Sequence, residues 1–593
     1  MNWGSELLAS LIWLGQAMVI TLLLSGGAVW LLTRHTQWGR QFWRLSGDYF
    51  QPRKHGWRPL LSLLLIVLIT LAGVRLSVLF SNWYNGMYTA LQKLDEKAFW
   101  ASMLLFAALA TAHVGRVLFE YYLQQAFVIR WRQWLNERLL GQWLQGQAYY
   151  RSHHLATPAD NPDQRIQQDI TSFVGSSLTL SMGVIDALVS TFEFTIILWG
   201  LSGALAIFGV EIPRSTVFIA YVYVIVATVF AFRIGRPLIR LNFLNEKLNA
   251  DYRYNLMRVR EYSENIAFYR GEQVEGNSLR QRFGEVIDNV WALVFRNLKL
   301  SGFNLTVSQT GVIFPFLLQA KRFFAKEISL GDMVQTAQAF GQLQSNLSFF
   351  RTSYDNFAEY KAVLDRLTGF QDACQQAVQL PQAARNDIDS GLTLQNFTVR
   401  RPDQQVLIDQ LQLALHSGDA LLIRGPSGSG KTTLLRAVAG LWPHCDGQIA
   451  YPQQGALFLS QRPYLPLGSL RDALSYPQAA IADSARISQV LKAVQLGQLS
   501  SRLDEVADWS RILSLGEQQR LAFGRLLLAA PQVAFMDEAT SAMDEGLEDA
   551  LYRLVREQLP GTVLVSVGHR STLLTHHNRQ LQLLGSGGWQ TDS

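Results

Sequence analysis

Between Gly425 and Thr433 the chain reads GPSGSGKTT, small flexible residues followed by one cation and two hydroxyls. Gly425, Gly428 and Gly430, with Pro426, Ser427 and Ser429 between them, allow successive backbone N–H groups to turn toward one anion. Lys431 adds a positive charge for the terminal phosphates of a nucleotide, and Thr432, followed by Thr433, offers a hydroxyl suited to Mg²⁺. The apolar run Ala420–Ile423 predicts a strand before this loop and Leu434–Gly440 predicts a helix after it, so phosphate would meet a helix N-terminus.

Further reactive groups follow in a set order. Gln461 lies in LSQRPYLPLGSL, LSLGEQQR covers Leu513–Arg520, VAFMDE ends in Asp537 and Glu538, SAMD ends in Asp544, and His569 follows the strand-like TVLVSV. Val533–Met536 reads as a buried strand that delivers two acids to its carboxyl end, where α/β sheets bind ligands. Paired acids also cap turns. Beside a phosphate loop in the same domain, they read as the second half of a nucleotide site.

These groups need a scaffold that brings distant stretches to one edge. From Gly391 onward short apolar runs alternate with helical ones, which predicts a largely parallel α/β nucleotide-binding domain over 391–593. The rest of the chain differs. At 593 residues it must hold more than one domain, and hydrophobic residues reach 49% while charged residues are only 17%, below the quarter usual in soluble domains. That deficit points to a membrane. The net charge of +6 comes without a compact basic run interleaved with aromatics, so cytoplasmic loops explain it and nucleic acid is not an expected partner. Two cysteines, Cys374 and Cys445, supply neither a disulfide scaffold nor a zinc cluster.

Apolar stretches long enough to cross a bilayer are Leu8–Leu32, Leu60–Phe80, Phe99–Leu123, Phe173–Val210, Thr216–Phe232 and Leu300–Ala320, with a weaker seventh at Leu330–Phe350. A basic aromatic stretch with Arg34, Arg40, Arg44, Arg53, Lys54 and Arg58 follows the first and reads as cytoplasmic, lying on the membrane surface. Alternation then puts 130–169 and 233–299 inside, both helical in pattern, and leaves Lys321, Arg322 and Lys326 outside, against the positive-inside tendency. The expected domains are 1–58 (first span and basic segment), 59–368 (membrane helices), a linker at 369–390, and 391–593.

Gln335, Gln338, Gln342, Ser345 and Asn346 recur at helical spacing in the seventh stretch, and Asn304 and Gln309 lie in the sixth. Such a face must meet protein or water, as interhelical glue or as a hydrophilic path. Arg75, His113, Arg116, Asp186 and Glu193 also fall within spans, where each charge costs about 2.5–3.5 kcal/mol at a helix centre on insertion scales. Arg75, Asp186 and Glu193 are therefore candidates for a transport pathway; structural pairing is the competing reading.

Taken together, the motifs make the chain resemble the ATP-binding cassette (ABC) transporters along essentially its whole length. NPDQRIQQDI (161–170), ENIAFYRGE (264–272), GLWP (440–443) and QRPYLPLGSLRDAL (461–474) look like the peroxisomal fatty-acyl half-transporters and their bacterial relatives. NWYNGMYTALQ (82–92) with the extra first span looks like the SbmA and BacA peptide permeases, and the fusion resembles the YddA-like proteins and the vitamin B12/bleomycin importer. The resemblance implies an exporter-like bundle, six core membrane helices plus an extra N-terminal one, fused to an α/β P-loop ATPase with a helical subdomain in the bacterial inner membrane. ATP and Mg²⁺ would be the cofactors. It implies that Lys431 and its loop bind phosphates, that Thr432, Gln461 and Asp537 hold Mg²⁺ directly or through water, that Glu538 polarises the attacking water and that His569 meets the γ-phosphate. Ser514, Leu515, Gly516 and Glu517 would complete the site of a second copy, with Asp544 communicating between sites. Two departures stand out: the family's LSGGQ is LSLGE here, and Arg401 lies where many members stack a tyrosine on adenine, a role that a guanidinium plane can also fill.

The implied engine is a homodimer in membrane lipid that moves a hydrophilic or amphipathic solute such as a peptide, an antibiotic or a corrinoid. Lipid or fatty-acyl transport and an ATP-gated channel or regulatory ATPase stay open. So does the direction.

Overall fold

The chain, seen in a computed structural model, is described over residues 3–158, 161–203, 205–207, 210–212 and 214–592. It divides into two units, one of Met1–Gly141 with Asp160–Gln371 and one of Gln142–Ala159 with Asp372–Ser593.

Long helices build the first unit: Trp3–His35, Arg58–Gln92, Glu96–Leu144, Ile170–Leu201, Ser215–Glu261, Glu272–Phe324 and most of Leu330–Gln379. Among the described residues, five segments are long and apolar enough to cross a membrane: Ser5–His35, Arg58–Gln92, Glu96–His154, Pro162–Leu201 and Ser215–Glu261. The two remaining expected spans also lie on long helices. Their apolar windows are diluted by Asn304, Gln309, Gln335, Gln338 and Gln342, and they do not join the five. A second expectation is corrected: the apolar run from Phe173 to Val210 is not one helix. The helix stops at Leu201, where Ser202 turns extended and donates its N–H to Leu198 O, and a small antiparallel pair, Leu205–Ile207 with Val210–Ile212, follows. Gly200, Ser202 and Gly203 interrupt the helical pattern where hydropathy alone does not.

At 1.5 Å per residue the 49-residue helix Glu96–Leu144 extends about 70 Å, more than twice the ~30 Å hydrocarbon layer. Its RWRQWLNERLL half therefore lies beyond the apolar layer. The basic aromatic stretch becomes the one-sided helix Gln37–Ser46, started by Thr36, whose Oγ1 accepts from Gly39 N at 3.1 Å. Phe42 and Tyr49 turn inward onto Trp131, with centroids 6.3 and 5.9 Å apart, while Arg40 and Trp43 stay exposed.

Buried charges in this unit are paired. Asp169 accepts from Arg165 Nη1 at 2.7 Å and from Arg366 Nε and Nη2 at 2.9 and 2.8 Å, and its own side chain is only 3% exposed. One carboxylate thus joins the start of Ile170–Leu201 to the helix Leu330–Gln379. Helix also runs through the first half of the expected linker, as far as Gln379.

In the second unit six strands lie in the order Gly588–Asp592, Arg579–Gly585, Ala420–Arg424, Val563–Val567, Val533–Asp537, Ala456–Leu459, parallel except at the first pair. A four-stranded sheet, Ala384–Asn386, Cys445–Ala450, Leu392–Arg400, Val406–Leu415, adjoins it. Ala420, Leu421, Leu422 and Ile423 are all buried, as a central parallel strand covered on both faces requires. One core lies on each face. Leu470, Leu491, Trp509 and Phe523 of the helical part pack with Leu422 and Met536, whereas Phe397, Leu435 and Ile449 pack with Ile423 and Phe535.

Asp169→Ala is expected to lower the detergent-solubilised protein's stability by about 3–5 kcal/mol, because it removes the buried carboxylate that both Arg165 and Arg366 pair with; Arg366→Ala, at a partner more exposed than Arg165, costs less in the same melting assay. A pH effect comes from His577, whose ring nitrogens lie 2.6 Å from Leu573 O and 2.9 Å from Ser566 Oγ and which burial pushes down from 6.5 to about 4. The unfolded chain then binds the extra proton, so this contribution is complete above pH 6.5 and drains away as pH falls toward about 4. Urea midpoints of wild type and His577→Gln should diverge least in that acid window.

Candidate active site

Register brings the reactive stretches together. Ile423 pairs with Val567 and Val567 with Asp537, so the loop after Ala420–Arg424, the Asp537–Glu538 pair and His569 all leave the sheet at one edge. The loop then needs its glycines. Gly425, Gly428 and Gly430 have φ of 151°, 80° and 101°, and a Cβ on Gly425 would stand 2.5 Å from Leu583 O. Helix Lys431–Val438 begins immediately after.

Lys431 Nζ donates to Gly425 O and Pro426 O at 2.9 and 3.0 Å, folded back across its own loop, and burial holds its ammonium below the ordinary lysine value while Glu538 and Asp537 oppose that shift. Ser429 is 4% exposed and its Oγ is buried without a hydrogen-bond partner. A buried, unpaired hydroxyl inside a loop of inward-facing amides suits a phosphate oxygen. Thr432 Oγ1 donates to Asp537 Oδ1 at 3.1 Å; burial, then the Glu538 charge, push the Asp537 carboxyl above its usual range. This all-oxygen pair suits a hard cation such as Mg²⁺, which would relieve both effects. The residues present therefore fit MgATP.

Glu538 sits at the strand end in the left-handed region, with φ 50°, and its N–H donates to Val567 O at 3.1 Å. A non-glycine residue held there stores strain of order 1 kcal/mol. Gln461 Nε2 donates to Glu538 Oε2 at 3.2 Å, and His569 Nε2 lies 3.7 Å from Glu538 Oε1. Gln461, Glu538 and His569 thus surround one point beside the phosphate loop. Arg401 is on the exposed turn of the smaller sheet, where its Nη1 donates to Gln405 Oε1 at 2.9 Å. Leu407, just past that turn, lies 3.3 Å from where a Cβ on Gly430 would stand, so the hairpin touches the loop through Leu407; Arg401 itself contacts Gln405.

The residues expected to serve a second copy stand at the start of helix Leu515–Ala529. Ser514 caps it: Ser514 Oγ donates to Glu517 Oε2 at 2.8 Å, and Ser514 N donates to the same oxygen at 2.9 Å. These bonds hold the Glu517 carboxyl below its usual range. Leu515 and Gly516 form the first turn, and a Cβ on Gly516 would stand 3.1 Å from Ala542 O. Asp544 caps the next helix, accepting from Leu547 N at 2.8 Å.

The candidate pathway residues are scattered. Arg75 Nε donates to Ser10 Oγ at 3.0 Å and its guanidinium lies 3.7 Å from Glu6; Glu193 accepts from Trp13 Nε1 at 2.9 Å. Both thus bind the first helix. Gln335 is buried and tied to Asn82 and Asn85 at 2.9 and 2.7 Å, inside the NWYNGMYT stretch. Arg116 pairs with Glu120 at 2.5 Å, near Asp186, which this chain leaves exposed. Gln338 and Gln342 are partly exposed, with Gln342 Nε2 3.4 Å from Asn346 Oδ1.

Two positions escaped sequence reasoning. Gln519, fully buried, donates to Gln461 O and Ser541 Oγ at 2.8 and 3.1 Å and accepts from Ala542 N at 3.0 Å. A glutamine on the apolar face of LAFGRLLL was the available signal. Trp442 of GLWP donates to Arg400 O at 2.8 Å and meets His154 at 5.1 Å between ring centroids, within the second unit. A sequence carries no mark of that meeting.

Residues 45–324 match the family described as ABC transporter transmembrane region 2, and residues 408–541 match ABC transporter. An uncharacterized ABC transporter ATP-binding protein of Haemophilus influenzae is 52% identical over all of both chains. The inner membrane ABC transporter ATP-binding protein YddA of Escherichia coli is 32% identical over 88% of this chain and 93% of its own length. The human lysosomal cobalamin transporter ABCD4 is 29% identical over 85% of this chain and 88% of its own.

Two substitutions separate binding from turnover. Lys431→Ala should weaken ATP binding in a nucleotide titration, whereas Glu538→Gln should keep affinity and lose turnover by about 10²–10⁴-fold in a phosphate-release assay.

Proposed function

This chain belongs to the ABC transporters, and from that premise we propose that two copies form one pump whose two nucleotide sites lie between them. It is a multi-pass inner-membrane protein with a cytoplasmic ATPase domain that couples ATP hydrolysis to transport. The observation that carries the dimeric reading is the division of the chemistry within one chain. Lys431, Asp537, Glu538, Gln461 and His569 cluster at one sheet edge, while Ser514 stands apart in the sequence at the start of another helix, where a second copy's phosphate could be met.

In this reading Lys431 leaves its backbone carbonyls for the β- and γ-phosphates, and Ser429 Oγ gains an acceptor. Thr432 and Asp537 would hold Mg²⁺, which would neutralise phosphate charge when bound. Glu538 orients water and receives its proton, steadied by Gln461, and His569 faces the transferred group. Closure favours transport only through its differential affinity: MgATP must bind the closed pair better than the open one.

We assign the membrane unit six core helices and an extra first one, held by Arg75–Ser10 and Trp13–Glu193. The cargo is hydrophilic or amphipathic. Gln338 and Gln342 are partly exposed and Ser345 is exposed, while Ala339, Phe340 and Leu343 are buried; lipid would not tolerate that polar face. A peptide or a corrinoid fits such a surface.

Inside-out and right-side-out vesicles carrying wild type or Glu538→Gln should differ in accumulation of labelled peptide or cobalamin, with flux following hydrolysis. Equal flux through both proteins would mean a channel.

A further inference from the structure

The amide of Gln519 closes a ring around Glu538. Its Nε2 donates to Gln461 O at 2.8 Å, and Gln461 Nε2 in turn donates to Glu538 Oε2 at 3.2 Å. On the other side Gln519 Nε2 donates to Ser541 Oγ at 3.1 Å, and Ser541 N donates to Glu538 O at 3.1 Å. Its Oε1 accepts from Ala542 N at 3.0 Å, in the loop that leads to Asp544. Gln519 has no solvent exposure and stands on the helix that Ser514 and Glu517 begin, one turn inside the end that would meet a second copy's phosphate. Gly516 abuts the same loop, at 3.1 Å between a built Cβ and Ala542 O.

We propose that Gln519 is a positioning residue through which the helix touching the partner's nucleotide sets Gln461 and Glu538 of its own subunit. This rests on the dimeric reading above. A shift of the helix N-terminus on engaging phosphate moves Gln519 with it, since helix backbone is rigid over one turn. Both arms of the ring end on Glu538: one on its carboxylate, the other on its backbone. Because Glu538 occupies a left-handed conformation, its carboxylate direction depends on what holds its backbone, and Ser541 is part of that hold. Each site therefore reports its occupancy to the other through one buried amide, and hydrolysis depends cooperatively on ATP.

The test uses the full-length protein in lipid nanodiscs. Q519M keeps the volume and removes every hydrogen bond; Q519E keeps an acceptor for Ala542 N and, when ionised, offers Gln461 O no donor. The expected result for Q519M is a kcat lower by about 10²-fold, the size of effect that a misplaced catalytic group produces, with KM little changed and a hyperbolic dependence on ATP where wild type is sigmoidal. Q519E should show the same loss at alkaline pH, where its carboxyl is ionised, and regain rate as pH falls and the carboxyl can donate. Wild-type kcat in Q519M, or a Q519E rate that does not change with pH relative to wild type, overturns the proposal, as does a loss of rate that merely follows loss of ATP affinity and melting temperature. E538Q with Gln519 intact serves as the control, cross-linked between subunits in MgATP. If it does not cross-link, the dimeric reading fails and takes this inference with it; if it does while Q519M turns over like wild type, the role of Gln519 alone fails.

Discussion

Because Ile423, Val567 and Asp537 end side by side in parallel register, a pair of acids and a histidine reach the same edge as a phosphate loop more than a hundred residues before them. Nothing local holds Glu538 near Lys431. The alignment comes from packing: alternate residues of these strands enter two different cores, Leu422 and Met536 one and Ile423 and Phe535 the other, and slipping a strand by one residue would exchange side chains fitted to each. With the register held by that penalty, each loop has little freedom left, and Glu538 can be kept in a strained backbone conformation.

The membrane unit obeys the opposite constraint. Hydrophobic contact distinguishes little between one helix pairing and another in lipid, so specificity comes from polar groups that must be satisfied. Asp169 between Arg165 and Arg366, Gln335 between Asn82 and Asn85, and Tyr360 with Ser177 at 2.9 Å each join segments distant in sequence. The same amides and charges that suggest a passage for solute are thus also the ones that select helix partners, and only contacts separate the two roles.

The sequence was most informative where function depends on consecutive residues. GPSGSGKTT, VAFMDE and the strand before His569 carry their geometry within one turn or one strand, so spacing alone identifies them. It was less informative where the partner lies elsewhere. Gln335 read as passage rather than glue until Asn82 and Asn85 appeared beside it. Arg75 and Glu193 have their partners on a first helix whose docking no periodicity reveals. The end of the helix at Leu201 was missed because hydropathy averages over Gly200, Ser202 and Gly203, which break a helix without being polar enough to break the average. Gln519 was passed over for the opposite reason, being one polar letter in an apolar run.

Residues 142–159 lie between two membrane helices in sequence, yet they pack with the ATPase unit: Arg151 Nη2 donates to Leu380 O at 2.6 Å, Val378 lies 3.2 Å from a Cβ built on Gly146, and His154 sits on Trp442. The backbone therefore passes from one unit to the other at three places, near 141, 159 and 371. A chimaera cut only after the last helix would set a foreign 142–158 segment against this ATPase, and the meetings of Arg151 with Leu380 and of His154 with Trp442 would each have to be remade by residues of two different parents.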